Sequence, residues 1–210
     1  MLSHQLNTQF KLRSGFSLVE LLLTLLLGSL LLAMVISLYV TSMSTGSQSL
    51  KYSRLRSDLQ SLVAILETDI RRAGYSAGQE GYLVGANSQQ SVDINSTHDC
   101  IVYYYNHNNT LAIEHSNKMA FAFKDNALKF KTGVNQIANE ACASTTGWIS
   151  VSDAGFVKIT ALSFIEVTNS TNDVTLRSVK ISLSGELVSD AGYSYSVTSR
   201  VQVRNIELLD

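Results

Sequence analysis

The 210-residue sequence contains no proline, only two cysteines and few charged side chains. Average usage would give about ten prolines, so no proline ring interrupts any helix or strand of this chain. Charged residues make up 16% of the chain and the formal net charge is -1, which gives no basic footprint for nucleic acid over the whole sequence. Serine, threonine and asparagine fill the polar positions instead. Such a surface suits a protein that packs against copies or relatives of itself, and equally an extracellular domain.

The sequence also lacks the short motifs of common catalytic chemistry. It contains no Gly-x-Ser-x-Gly, no phosphate-binding loop and no dinucleotide fingerprint. The four histidines show no spacing that suits a shared metal ion. Asp93, Asn95 and Asp99 share one polar loop that could hold calcium, but the glycine and distal glutamate of an EF-hand are missing, which favours a solvated loop. We therefore predict that the protein is not an enzyme and holds neither a cofactor nor a metal ion.

The N-terminal region combines a basic leader with a long apolar run. Lys11 and Arg13 precede residues 15–20, Gly-Phe-Ser-Leu-Val-Glu, and residues 21–40 then contain no charge. A membrane-spanning helix needs about 20 apolar residues, whereas the apolar part of a cleaved secretory signal needs only about 7–15. The run therefore predicts a retained single-pass anchor. The basic leader favours a cytoplasmic N-terminus, although Lys51 and Arg54 beyond the run leave the charge asymmetry undecided.

Glu20 places one carboxylate just inside the start of this apolar segment. A charged side chain at the centre of a membrane helix costs roughly 2.5–3.5 kcal/mol in insertion experiments, so its presence requires an explanation. One explanation is a partner charge supplied when the helix packs against another helix. The other is that the side chain reaches the lipid edge or stays protonated before assembly, and both can hold at different stages.

The residues after the apolar run predict a second, amphipathic part of the same helix. Residues 41–47 are polar and weakly helix-forming, so we predict a weak point there. Downstream, apolar side chains recur at spacings of three and four, the pattern of a helix with one buried stripe. We expect Gly74 to end the helix. The predicted stripe consists of Leu55, Leu59, Leu62, Val63, Leu66, Ile70 and Ala73.

From Cys100 onward, apolar and polar side chains alternate with a period of two, which predicts half-buried antiparallel strands. The same alternation predicts that Tyr103-Tyr104-Tyr105 buries either its middle ring or its outer two. The helix stripe would cover the sheet, so the predicted fold class is α+β, a long N-terminal helix packed on a C-terminal antiparallel β-sheet. We predict strands at residues 101–105, 111–114, 120–123, 128–131, 156–167, 178–183 and 193–204, and loops at residues 82–99 and 133–146.

Both cysteines, Cys100 and Cys142, lie beyond the apolar run. If this part of the chain is translocated, an oxidising compartment makes one disulfide the default expectation. Their separation is too large for a C-x-x-C redox motif, which favours a structural bond over a catalytic pair. The distance between their Cα atoms cannot be read from the sequence, so the pairing stays an expectation.

Residues 15–20, with their basic leader and apolar run, resemble the class III signal of type IV prepilins and type II secretion pseudopilins over residues 11–40. Residues 69–75, Asp-Ile-Arg-Arg-Ala-Gly-Tyr, and residues 201–205, Val-Gln-Val-Arg-Asn, resemble PilW-type minor pilins. The chain departs from many members of the family because it lacks a proline midway through the membrane helix. Local melting of this helix on assembly is therefore not implied here.

The resemblance implies roles for three residues near the N-terminus. A prepilin peptidase would cut between Gly15 and Phe16 on the cytoplasmic side and would methylate the new amine of Phe16. Glu20 would neutralise the Phe16 amine of a neighbouring subunit during assembly. Two charges that are each unfavourable in the membrane become tolerable as a pair.

The resemblance also implies a chain of four parts and a role in assembly. The parts are a cytoplasmic leader at 1–15, a transmembrane and assembly helix at 16–40, an amphipathic helix covering the sheet at 41–74, and a periplasmic or extracellular β-rich domain at 75–210. The implied function is that of a minor pilin in type IV pilus assembly or initiation. The protein would lie first in the inner membrane and then in the pilus at the cell surface.

The implied partners are other minor and major pilins, the prepilin peptidase, the inner-membrane assembly platform and the lipid bilayer. Arg71 and Arg72 are too few to indicate nucleic acid binding. Two alternatives stay open. One is a minor pseudopilin of a type II secretion system, and the other is a membrane-anchored periplasmic binding or enzymatic domain that never assembles.

Overall fold

The computed structural model describes Gly15 and residues 17–75, 91–108, 114–134, 137–171, 174–204 and 207–208. The chain divides into two compact units, Met1–Ser49 and Leu50–Asp210, and each is described by itself. One helix, α1, extends over Leu18–Arg72 and contributes residues to both units.

In the first unit, α1 carries apolar side chains on all sides. Every described residue of this unit is exposed, including the large apolar side chains between Leu18 and Met43. Over the part of the chain that the structure describes, α1 is the one helix long and apolar enough to cross a membrane. The predicted weak point at residues 41–47 is helical. There the Thr41 hydroxyl donates to the Ser37 carbonyl at 2.9 Å, and the Thr45 hydroxyl donates to the Thr41 carbonyl at 3.0 Å. These bonds satisfy the two hydroxyls without interrupting the helix.

In the second unit, α1 buries the stripe that the sequence predicts. All seven residues from Leu55 to Ala73 in that stripe are buried, which confirms the prediction. The helix ends at Arg72, and Gly74 follows with a φ of 80°, a conformation that glycine adopts without strain. The Gly74 N–H donates to the Tyr104 carbonyl at 2.8 Å. The predicted stop at Gly74 is therefore confirmed, and this glycine also attaches the helix end to a strand.

Five antiparallel strands form a first sheet. In chain order they are β1 (Val92–Ile94), β2 (Cys100–Tyr104), β3 (Lys118–Lys124), β4 (Ala127–Thr132) and β5 (Ile149–Ser150), and they lie in that order in the sheet. A 3-10 turn, His115–Asn117, precedes β3, and a short helix, α2 (Ala138–Ala143), precedes β5. The hairpin between β3 and β4 turns through Asp125 and Asn126, whose φ angles of 51° and 56° suit a two-residue hairpin loop.

Two of the predicted loops contain regular structure. Strand β1 lies in the stretch 82–99 and helix α2 in the stretch 133–146, so the loop predictions were wrong at these points. The elements have three and six residues, and a period cannot be recognised over so few positions. Of the strand predicted at 111–114, residues 111–113 lie outside the described residues, and Glu114 comes just before the 3-10 turn.

Three long antiparallel strands form a second sheet. They are β6 (Val157–Thr171), β7 (Val174–Leu187) and β8 (Asp190–Gln202), with β7 in the middle, and a short strand, β9 (Glu207–Leu208), also pairs with β7. We expected one sheet, but alternation indicates which side chains face inward and not which strands pair. Backbone bonds link the two sheets: Phe164 N–H donates to the His98 carbonyl (2.7 Å), and Ile159 N–H to the Asn126 carbonyl (2.9 Å).

Two cores lie on opposite faces of the first sheet. The main core joins the α1 stripe to both sheets and includes Tyr103, and a smaller core beneath α2 includes Tyr104. Strand β2 is therefore buried on both faces, while Tyr105 is half-buried. The alternation prediction for the three tyrosines was wrong because it assumed that one face of this strand meets solvent. The α+β fold class is confirmed, with a long N-terminal apolar helix followed by antiparallel sheets.

Candidate processing and assembly site

The residues that the sequence links to processing lie at the start of α1. Gly15 and Ser17 are exposed and precede the helix, and Phe16 lies outside the described residues. The Ser17 carbonyl accepts a hydrogen bond from the Leu21 N–H at 3.1 Å. Gly15 therefore lies just ahead of the point where helical hydrogen bonding begins.

Glu20 lies in the first turn of α1 and is exposed. The first turn is where the helix dipole favours a negative charge. Among the described residues, none forms an ion pair or hydrogen bond with the Glu20 carboxylate. The carboxylate is thus open to a positive charge from another molecule.

From Leu21 to Val40 the exposed helical surface carries no charge and is mostly apolar. The large exposed side chains of this part of α1 include Leu18 and Val19 just before Glu20, and they continue from Leu21 to Met43. A helix that is hydrophobic on all sides is normally buried in lipid or among other helices. The chemical arrangement is therefore one acid at one end of a segment that otherwise requires an apolar environment.

A disulfide joins Cys100 in β2 to Cys142 in α2, with 6.2 Å between the Cα atoms. This is the pairing that the sequence leads us to expect. The bond attaches α2 to the sheet that it covers, and both cysteines are buried. Lys124 reinforces the attachment because its Nζ donates to the Cys142 carbonyl at 2.6 Å. The bond is placed to stabilise the second unit.

The polar loop considered for calcium uses its oxygens within the protein. Asp93 Oδ2 accepts a hydrogen bond from the Ala138 N–H (2.7 Å) at the start of α2. Asn95 Oδ1 accepts from the N–H groups of Asp99 (3.1 Å) and Cys100 (3.0 Å). Over the described ranges, no group of three or more His, Cys, Asp or Glu side chains could hold a metal ion. These contacts account for the polarity of the loop by hydrogen bonding between β1, β2 and α2.

Residues 69–75 attach the end of α1 to the first sheet. Asp69 forms an ion pair with Arg72 and accepts a hydrogen bond from the Tyr103 hydroxyl at 3.1 Å. The Arg72 guanidinium lies 4.7 Å from the centre of the Tyr105 ring, a cation–π contact. Burial raises the pKa of Tyr103 well above its ordinary value, and the charge and hydrogen bond of Asp69 add to the shift. Tyr103 is therefore a neutral donor at physiological pH.

A groove of about 510 Å³ opens beside this cluster, and we call it the arginine groove. It brings together the end of α1, the segment after β2 and the segment after β8, where the Arg204 N–H donates to the Arg71 carbonyl at 3.3 Å. Sequence reasoning missed it because these segments are far apart in the chain. The only signal was that Arg71 and Arg204 both lie in stretches with a PilW-type pattern. The lining includes Arg71, Arg72, Tyr75, Tyr105, His107 and Arg204.

Two family models match the sequence. The family described as prepilin peptidase-dependent protein B matches residues 48–203, well over half of the chain. The prokaryotic N-terminal methylation motif matches residues 10–36, which include Gly15, Phe16 and Glu20. No curated protein and no solved structure matches this chain.

Proposed function

This chain belongs to the prepilin peptidase-dependent protein B family, and we propose that it is a non-catalytic minor subunit of a type IV pilus, taking part in filament assembly or initiation. It is a type IV pilin-like protein with a prepilin-type N-terminal methylation motif. The observation that best supports the proposed role is the overlap of that motif, over residues 10–36, with a stretch of helix whose exposed side chains from Leu21 to Val40 are uncharged and mostly apolar. Such a helix requires lipid or other helices around it.

The proposed mechanism begins with processing. Prepilin peptidase cuts between Gly15 and Phe16 and methylates the Phe16 amine, which leaves a positive charge next to the first turn of α1. During assembly the Glu20 carboxylate of one subunit neutralises the Phe16 amine of a neighbour. The exposed position of Glu20 supports this step, because no described residue of its own chain pairs with it. Each charge is unfavourable alone in an apolar bundle and tolerable as a pair.

We also propose a topology for the chain before assembly. The N-terminus faces the cytoplasm, as Lys11 and Arg13 favour. Residues 16–40 span the inner membrane, residues 41–74 continue the helix, and residues 75–210 lie in the periplasm. The Cys100–Cys142 bond supports that compartment, because disulfides persist where conditions are oxidising. After assembly the protein lies in the pilus at the cell surface.

The finer assignment is a PilW-like role beside other minor pilins and the major pilin. It rests on residues 69–75 and 201–205, whose structural counterpart is the meeting of the α1 end with the segment after β8. The other proposed partners are the prepilin peptidase, the inner-membrane assembly platform and the lipid bilayer.

The experiment that tests this role is deletion of the gene that encodes this chain, in a host that has both a type IV pilus and a type II secretion system. We expect fewer surface filaments, unchanged secretion, and recovery of filament number when the wild-type chain is restored. Lost secretion with normal filament number would instead assign the chain to the secretion system. Normal filaments and normal secretion in the deletion strain, together with residues 1–15 still attached to the chain in the parent strain, would identify an unassembled periplasmic domain.

A further inference from the structure

The arginine groove contains two cations that the assembly role does not use. Arg71 and Arg204 are exposed and both line the groove. Within the described residues, neither guanidinium forms an ion pair or hydrogen bond. Arg72 differs, because Asp69 and the Tyr105 ring hold it in place. The groove thus presents a local positive charge on a chain whose net charge is only -1.

The same groove presents a row of flat rings. The ring centres of Tyr75 and Tyr105 lie 5.9 Å apart, and those of Tyr105 and His107 lie 6.5 Å apart. Tyr75 keeps 42% of its surface exposed, and His107 is also exposed. The backbone that carries these rings is fixed, because the Asn106 N–H donates to the Tyr75 carbonyl at 3.0 Å. The rings are therefore held in position with part of their surface open.

We propose that the arginine groove binds one nucleotide unit of a single-stranded nucleic acid. Arg71 and Arg204 contact the phosphate, because a guanidinium matches phosphate oxygens with paired donors. The base stacks against the exposed Tyr75 and His107 rings. Basic groups beside aromatic rings bind single strands without sequence preference, since every base has a flat face.

Two further observations favour a nucleotide over an acidic peptide. A carboxylate side chain would use the arginines but would leave the open rings without a partner. The groove volume of about 510 Å³ lies within the usual range for sites that enclose a ligand larger than one carboxylate. Arg71 and Arg72 alone, as neighbours in the sequence, are too few to indicate nucleic acid binding. In the folded chain, Arg72 is held by Asp69 and the Tyr105 ring. The groove adds Arg204, His107 and the rings of Tyr75 and Tyr105 to Arg71.

The test is fluorescence anisotropy of the full chain in detergent with a short labelled oligothymidylate, over a series of salt concentrations. The double variant Arg71→Gln/Arg204→Gln should bind at least about 10-fold more weakly than wild type. For single strands, each neutralised phosphate contributes about -0.7 to the slope of log K against log salt, so the slope of the variant should be shallower by at least that amount. The matched control is Lys51→Gln/Lys180→Gln, which removes two exposed charges outside the groove and should bind like wild type.

A second pair of variants tests stacking separately. Tyr75→Leu should weaken binding about 5-fold or more with an unchanged salt slope, whereas Tyr75→Phe keeps the ring and should bind like wild type. Thermal unfolding midpoints should be unaffected by all of these changes, because the altered side chains are exposed. The proposal is overturned if wild type fails to bind at low salt or if the arginine variant and its lysine control bind equally. It is also overturned if oligoglutamate competes as well as unlabelled oligothymidylate, which would make the groove a docking site for an acidic segment.

Discussion

The Tyr103 hydroxyl donates a hydrogen bond to Asp69 Oδ2 across 3.1 Å, and this bond connects β2 to the last turns of α1. The same carboxylate pairs with Arg72, whose guanidinium lies over the Tyr105 ring. One acid therefore secures two tyrosines of the same segment, one directly and one through an arginine. The pattern at residues 69–75 thus has a structural function, because it attaches the end of the helix to the first sheet.

Replacement of Tyr103 by Phe removes this hydrogen bond and keeps the ring, which stacks on Phe121 with 5.9 Å between centroids. A hydrogen bond to a charged group contributes about 1.5–3 kcal/mol. We expect the free energy of unfolding to fall by an amount near the lower limit of this range, because Asp69 keeps its Arg72 partner. Chemical denaturation of the full chain in detergent measures it. The control Tyr193→Phe should change stability by less than about 0.5 kcal/mol, and equal losses in both variants would contradict the role of Asp69.

The raised pKa of Tyr103 predicts a loss of stability in alkaline solution. Burial is the main cause of the shift, followed by the Asp69 charge. Above pH 10.0, the ordinary pKa of the phenol, the unfolded chain loses a proton that the folded chain keeps. Unfolding then releases a proton, and its free energy falls by about 1.4 kcal/mol per pH unit. The stability that the neutral Tyr103 contributes is fully present below pH 10.0 and is lost progressively as the pH rises above it. The decline should be shallower in Tyr103→Phe than in wild type, and parallel curves would refute the assignment.

Periodicity in the sequence was sufficient to predict the helix and most of the strands. The stripe from Leu55 to Ala73 was recognisable because it is long and has one buried side. Gly185 carried no such signal, although a Cβ there would lie 3.1 Å from Leu59 Cδ2 and 3.2 Å from the Lys158 carbonyl oxygen. Close approaches of this kind, and the division of the strands into two sheets, depend on tertiary packing that no local pattern encodes.

Loss of the disulfide should destabilise the second unit. The bond closes a separation of 42 residues between Cys100 and Cys142, and bonds over such loops typically contribute about 2–4 kcal/mol. The free energy of unfolding of the variant Cys100→Ala/Cys142→Ala should be lower by that amount, so the variant should unfold at a lower denaturant concentration. Hydrogen exchange should accelerate most in α2. Reductant should lower the stability of wild type and leave the variant unchanged. Equal stability of the oxidised wild type and the variant would show that the bond contributes nothing.

The charge pair predicts that Glu20 controls incorporation into filaments. Glu20→Ala leaves the Phe16 amine of a neighbour without its partner, so the fraction of the chain recovered in sheared filaments should fall at least about 10-fold. Glu20→Asp keeps the charge and should retain part of the incorporation. Leu22→Ala, an exposed apolar position in the same part of α1, controls for a general effect on the helix. Wild-type recovery of Glu20→Ala would remove the charge-pair mechanism while leaving the family assignment intact.

The processing residues and the arginine groove differ in how far the sequence reveals them. Gly15, Phe16 and Glu20 lie within six consecutive positions, so their pattern is readable without a structure. Arg71, His107 and Arg204 converge only because α1 ends where the segments after β2 and β8 meet. A site assembled from distant segments leaves no spacing to recognise.

The most direct test of the account is intact-mass analysis of the chain purified from cells with and without an active prepilin peptidase. With the peptidase, the account predicts that residues 1–15 are removed and that the new N-terminus, Phe16, carries one methyl group. Without it, the full chain should remain. A chain that keeps residues 1–15 in cells with active peptidase would contradict the account, because no free Phe16 amine would then exist for Glu20 to neutralise.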